Sequence, residues 1–205
     1  MNIGFSKFFS NIQEAPWYRS FLNLVINEIG RKGKVLDIGT GSGKLIQILS
    51  TEKGVISIGV DTDSAMIKEA KIKLKGMSVA VFKVASNKKL PFKNSSFNYI
   101  TICSVLFHLK NKDIDFILDD AMNLLKADGK IIVLTPSGKG NIIALSKKYF
   151  SYKNLSIYIW FLATKNRAEP WIKNKYLKQY ATKNKLEYTS KIGMNGFAQL
   201  EVLNK

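Results

Sequence analysis

Gly39-Thr-Gly41-Ser-Gly43 is the first group of residues whose types and spacing could do chemistry; it follows a short apolar run and precedes a helical pattern starting near Lys44. Glycines at these positions let the backbone turn tightly and approach a ligand with no Cβ in the way. Two common ligand classes are excluded. A dinucleotide loop needs glycine three places after its second glycine, where this chain has Lys44. A phosphate-binding P-loop needs glycine at position 38 and Ser or Thr at 45, and the chain has Ile38 and Leu45. What is left is a G-x-G-x-G loop after Val35-Leu36-Asp37-Ile38, with Asp61 ending the next apolar run. His108 is the only histidine. It could take a proton from a hydroxyl or carbon acid near neutral pH, or it could be a packed or positioning residue. Cys103 is the only cysteine, which excludes a disulfide within the chain and a thiolate zinc cluster.

These groups need elements to bring them together. Strand-like runs lie at Lys34–Ile38, Val55–Val60, Val79–Phe82, Tyr99–Cys103 and Lys130–Leu134. Helical periods separate them, one through Ala65, Ile67, Ala70 and Leu74 and a clearer one through Ile114, Ile117, Leu118, Ala121, Leu124 and Leu125, with Asp128-Gly129 as its stop. Strands alternating with helices predict a doubly wound α/β fold whose mostly parallel sheet is covered on both faces. His108 then lies past the fourth strand, at the edge where ligands bind in such sheets. Pro16 suits the first turn of a helix over 16–30, with Trp17, Phe21, Leu24, Val25 and Ile29 on one face; upstream, Phe5, Phe8 and Phe9 are spaced by polar residues. Residues 139–168 carry aromatics and lysines without a strand period and are expected to form one or two helices over the sheet. Pro170 is expected to open a further helix to about Lys185, followed by an antiparallel pair, Leu186–Ile192 and Phe197–Leu203. With 205 residues, one domain is expected: a lid at 1–30, a ligand-binding core at 34–135, the insert at 139–168, and a closing helix and strand pair at 170–205.

Val35-Leu-Asp-Ile-Gly-Thr-Gly-Ser-Gly43 resembles motif I of the class I S-adenosylmethionine-dependent methyltransferases, and Gly59-Val-Asp61-Thr-Asp63-Ser-Ala-Met66 is similar to their second motif. Leu90-Pro-Phe92, Ser104–Leu109 and Leu124–Val133 resemble the segments around their fourth and fifth strands, in the same order. The similarity is greatest to the small-molecule branch that includes the ubiquinone and menaquinone biosynthesis enzymes. It implies a Rossmann-like, seven-stranded sheet with an antiparallel C-terminal strand, and S-adenosylmethionine as cofactor with S-adenosylhomocysteine as product. It places Asp37 by the amino-acid end of the cofactor; the other reading of Asp37 is a buried structural hydrogen bond. Gly39, Thr40, Gly41 and Gly43 line the ligand. Asp61 accepts from the two ribose hydroxyls, as its two oxygens allow, unless it is only a helix cap. Thr62, Met66 against adenine, Ser86, Asn87 and Ser104 complete the set. Relatives usually carry an acid and alanine where Ser86-Asn87 stands, so the adenine amino group loses a charge-assisted bond, about 1 kcal/mol of affinity. This departure leaves a non-catalytic, cofactor-binding member of the fold open.

The acceptor is narrowed by what is missing. There is no [Asp/Asn]-Pro-Pro-[Tyr/Phe] segment for base methylation, no glutamate pair after the fourth strand, and no metal-binding trio there, so no metal is expected. A small-molecule or lipid-like acceptor is the first expectation, with Tyr149, Tyr152, Tyr158 and Trp160 as candidate lining or simple core residues. An RNA-modifying enzyme is the alternative. The net charge of +17 comes from 32 basic residues against 15 acidic, and all but three of the bases are lysine, the less specific reader of phosphate. Residues 136–205 hold 13 basic and 3 acidic residues. A simple soluble basic protein is the first reading of this charge; peripheral contact with an anionic membrane comes next, and nucleic-acid binding after it. The sequence shows neither a spanning segment nor a signal peptide, so the expected compartment is the cytoplasm.

Overall fold

A computed structural model describes residues 10–205; Phe5, Phe8 and Phe9 lie outside the described residues. The seven strands are β1 (Lys34–Ile38), β2 (Ile56–Asp61), β3 (Val79–Lys83), β4 (Phe97–Cys103), β5 (Leu125–Pro136), β6 (Glu187–Gly193) and β7 (Ala198–Asn204). They form one sheet in the order β3-β2-β1-β4-β5-β7-β6. All pairings are parallel except the two made by β7, which runs antiparallel to β5 and β6. The order reverses beside β1, so the crevice at a topological switch point falls between the ends of β1 and β4.

The helices are α1 (Pro16–Ile26), α2 (Lys44–Ile48), α3 (Ser64–Lys73), α4 (Asn111–Leu124), α5 (Ile142–Tyr149), α6 (Ser156–Asn174) and α7 (Tyr176–Lys183). Alternate strand residues feed two cores, one on each sheet face. Val35, Ile132, Leu134 and Leu200 pack with α1, α2, α5 and the start of α6. Leu36, Ile131, Val133 and Leu203 pack with α4, α7 and the later part of α6. Trp17 anchors the first core: it is 1% exposed, its ring lies 4.9 Å from that of Trp160, and its indole N–H donates to Ser156 Oγ at 2.9 Å. The segment before β1 and the insert after β5 are thereby fastened to each other.

The helix expected over 16–30 stops at Ile26, and two further boundaries differ from the sequence reading. Pro170 lies inside α6 instead of opening a helix; Ala168 and Trp171, buried on either side of it, hold the turns flanking it on the same core, and the break comes at Lys175, with φ of 50°. Asp128-Gly129 lies within β5, because Leu125 already pairs with Phe97 before the register shifts to Tyr99–Lys130. Since Ile157, Trp160 and Phe161 belong to one core and Ala168 and Trp171 to the other, α6 crosses from one face of the sheet to the other. It does so over the carboxyl ends of the strands, where Arg167 reaches His108 and the backbone of Glu169 closes on Gly138. Among the described residues no helix is long and apolar enough to span a membrane.

Candidate functional site

The glycine loop leaves β1 and doubles back over β2. Gly39 N and Thr40 N both donate to Val60 O, at 2.8 and 3.0 Å. Gly39 has φ of +77°, and a Cβ there would collide with Val105 Cγ2, so the loop lies against the segment after β4. Gly41 has φ of +56° and donates its N–H to Asp61 Oδ2 at 2.9 Å. Asp61 Oδ1 accepts from Asp63 N, also at 2.9 Å. The cap of α3 is Asp63, whose carboxylate accepts from Ala65 N and Met66 N. Asp61 is therefore not that cap. A carboxylate has about four acceptor sites, and two are taken by these amides, leaving two for ligand donors.

Asp37 is 3% exposed and accepts from Thr101 Oγ1 at 2.7 Å. Burial raises its pKa to about 6, against the hydrogen bond from Thr101 and with the help of the Asp61 charge. Thr40 Oγ1 and Ser104 Oγ are both buried without a hydrogen-bond partner. Ser104 follows β4 with φ of +57°. Met66 is buried in the first turn of α3, and Thr62 sits just before its cap. Ser86 and Asn87 are exposed in the loop after β3, Asn87 with φ of +57°. All the candidate cofactor residues thus lie at or just beyond the carboxyl ends of β1 to β4.

His108 ends a short turn after β4. Arg167 Nη1 is 3.0 Å from His108 Nδ1. A guanidinium only donates, so Nδ1 is the acceptor and the proton sits on Nε2. Partial burial, then the Arg167 charge, hold the imidazole below its usual pKa and therefore neutral at pH 7. Of the four candidate lining aromatics in the insert, Trp160 is core and Tyr152 is exposed. Tyr158 OH donates to Ser146 Oγ at 3.0 Å, and Tyr149 OH accepts from Asn195 Nδ2 at 3.2 Å. Among the described residues no cluster of His, Cys, Asp and Glu could hold a metal ion.

Four contributors were missed in the sequence: Thr101, Gln13, Glu14 and Arg167. Thr101 faces Asp37 in the β1–β4 register, and its only signal was a hydroxyl inside an apolar strand. Gln13 Oε1 accepts from Ser42 N and Ser42 Oγ, at 3.2 and 2.5 Å, and so straps the segment before α1 onto the glycine loop. Glu14 beside it pairs with Lys44 and Lys73. Neither Gln13 nor Arg167 had any local signal.

The site can be set beside known proteins. Residues 36–133 match the family described as Methyltransferase domain. The ubiquinone/menaquinone biosynthesis C-methyltransferase UbiE of Rickettsia bellii is 31% identical over 146 residues, covering 66% of this chain and 56% of the relative. The chain spans about half the length of the curated relatives it matches. A SAM-dependent methyltransferase structure from Aquifex aeolicus superposes with a TM-score of 0.70 at 16% identity, covering 100% of this chain and 98% of that one. The plantazolicin methyltransferase BpumL, solved in complex with SAH, gives 0.68 at 14% identity, covering 97% and 89%. These two structures share the fold, and the ordered motifs lie within the matched segment. Residues 36–133 are thus similar to a methyltransferase domain, within a fold shared with S-adenosylmethionine-dependent methyltransferases of known structure.

Proposed function

We propose that this protein transfers a methyl group from S-adenosylmethionine to a small or lipid-like acceptor held at the carboxyl edge of its sheet. The observation that carries the reading is the convergence there of two carboxylates, Asp37 and Asp61, an open glycine loop, and two buried hydroxyls without partners, those of Thr40 and Ser104. These groups fit the cofactor. Asp61 has two acceptor sites left for a ribose diol, Asp37 is an anion for an α-ammonium, and the orphaned hydroxyls gain partners. When bound, the cofactor supplies a methyl group on a sulfonium, open to in-line displacement. The chain's own work is to align the reactants and exclude water. Helix α6, lying across the edge, is the element placed to close the site. With Nδ1 taken by Arg167, His108 offers Nε2–H to an acceptor oxygen; it becomes a base only when Arg167 withdraws.

Titration calorimetry with S-adenosylhomocysteine tests the reading. Binding at 1:1 in the micromolar range is expected, on the order of −8 kcal/mol. No heat from folded protein at high ligand would overturn it. The pH profile checks Asp37 separately. The raised pKa means that the folded, ligand-free protein holds the Asp37 proton more tightly than the unfolded chain, so burying this group costs stability as pH rises from the ordinary carboxylate range to about 6. A bound ammonium favours the ionised form. Affinity should therefore be full above about 6 and fall roughly tenfold by one pH unit below it. Asp37→Asn should bind more weakly with no such step, and a wild-type profile that stays flat would remove Asp37 from the ligand.

A further inference from the structure

Among the described residues eleven large apolar side chains are exposed, and seven of them lie within residues 142–162: Ile142, Ile143, Phe150, Tyr152, Leu155, Ile159 and Leu162. They belong to α5, the turn after it, and the first half of α6. Phe150 is 79% exposed, Tyr152 78% and Ile143 68%. Leu155, Ile159 and Leu162 are spaced i, i+4, i+7 and so share one stripe. The opposite stripe of the same helix, with Ile157, Trp160 and Phe161, is buried against the sheet. The insert is therefore apolar on both sides, with only one side used by the fold. Exposed apolar residues gathered in this way mark an interaction surface.

The charge around the patch selects the partner. Residues 139–168 contain five lysines and Arg167 but no acidic residue, in a chain that otherwise carries 15 of them. Lys139, Lys147, Lys148 and Lys153 are exposed among the apolar side chains. Lysines interleaved with Ile, Leu, Phe and Tyr suit a headgroup boundary, where the rings and branched chains enter the acyl region and the ammonium groups meet lipid phosphate. A nucleic-acid surface has no use for exposed Ile143, Leu155 and Leu162.

We propose that residues 142–162 form a docking surface for an anionic lipid bilayer, and that α6 connects this surface to the crevice. Leu155, Ile159 and Leu162 would lie at the membrane, while Arg167 on the same helix touches His108. Ile159 and Arg167 are eight residues apart, about 12 Å along a helix. An apolar acceptor dissolved in the bilayer would have a short route to the carboxyl edge. The docking itself does not depend on the methyl-transfer reading; only the acceptor route rests on it.

Sedimentation of the full chain with vesicles of equal parts phosphatidylcholine and phosphatidylglycerol tests this, with phosphatidylcholine vesicles for comparison. Binding to the mixed vesicles is expected, at least tenfold stronger than to the neutral ones, and weakened by salt. The double variant Phe150→Asp/Leu155→Asp should lose about tenfold or more. Lys147→Glu/Lys148→Glu should lose the preference for anionic lipid. Both change exposed side chains, so melting temperature and S-adenosylhomocysteine affinity should stay at wild-type values, which separates this surface from the cofactor site. Absence of vesicle binding, equal binding to neutral vesicles, or unchanged binding by the Phe150→Asp/Leu155→Asp protein would overturn the proposal. So would salt-sensitive RNA binding that the lysine reversals abolish and the apolar substitutions leave intact, or self-association lost in the apolar variant without any vesicle binding.

Discussion

Asp61→Ala is expected to weaken S-adenosylhomocysteine binding by about 3 kcal/mol, on the order of a hundredfold in Kd. Two effects add. The carboxylate holds Gly41 N and Asp63 N at 2.9 Å each, so removing it frees the glycine loop and the turn into α3 together. It also removes the two acceptor sites proposed for the ribose hydroxyls. Asp61→Asn keeps one acceptor oxygen and should fall between wild type and alanine. Ser86→Ala is the contrasting case. Ser86 is exposed, brings no charge, and should cost less than about 1 kcal/mol. Ser86→Asp should tighten binding if this position faces the adenine amino group. Calorimetry on the four variants decides the matter, and equal losses for Asp61→Ala and Ser86→Ala would show that ribose and adenine have been assigned to the wrong residues.

Trp17→Ala should lower stability by about 3–5 kcal/mol, the range for truncating a large buried aromatic. Trp17 is 1% exposed, packs at a tilt against Trp160, and donates its indole N–H to Ser156 Oγ at 2.9 Å. Its backbone N–H also donates to Asn154 Oδ1 at 3.1 Å. The substitution leaves a cavity and a hydroxyl without its donor at the point where α1 meets the insert. At roughly 2–4 °C per kcal/mol for a chain of this size, the melting temperature should fall by about 6–20 °C. Trp17→Phe keeps most of the volume and loses the donor, so its fall should be less than half as large. A drop of only a degree or two in Trp17→Ala, followed by circular dichroism, would mean that α1 is not a structural part of the domain.

Most of the sheet could be read from the sequence because its signals are local. β1 to β5 are short β-branched runs, helix α4 has apolar residues at helical spacing, and the glycine loop stands where the chain turns from strand to helix. Period and turn chemistry depend on neighbours within a few residues, so they survive without knowledge of the fold. The same reading put Asp37, Asp61 and Ser104 at the ends of three strands, and a parallel α/β sheet brings those ends to one edge. Pro170 and Asp128-Gly129 misled because their local preference was overridden. Buried contacts on both sides of Pro170 keep α6 continuous, and pairing with Phe97 extends β5 back to Leu125.

Tertiary structure alone decided which polar groups meet. Thr101 reaches Asp37 across 64 residues of sequence, Arg167 reaches His108 across 59, and Gln13 reaches Ser42 across 29. None of these partners has a spacing that marks it, since each contact exists only once strands and helices have packed. The protonation of the site follows from them. Asp37 titrates near 6 because the fold buries it, and His108 is neutral with its proton on Nε2 because Arg167 occupies Nδ1. Residue type and order determined the fold class and the loop that can hold the cofactor. The chemical state of the groups around that loop depended on distances between distant parts of the chain, because burial and hydrogen bonding shift a pKa only at contact range.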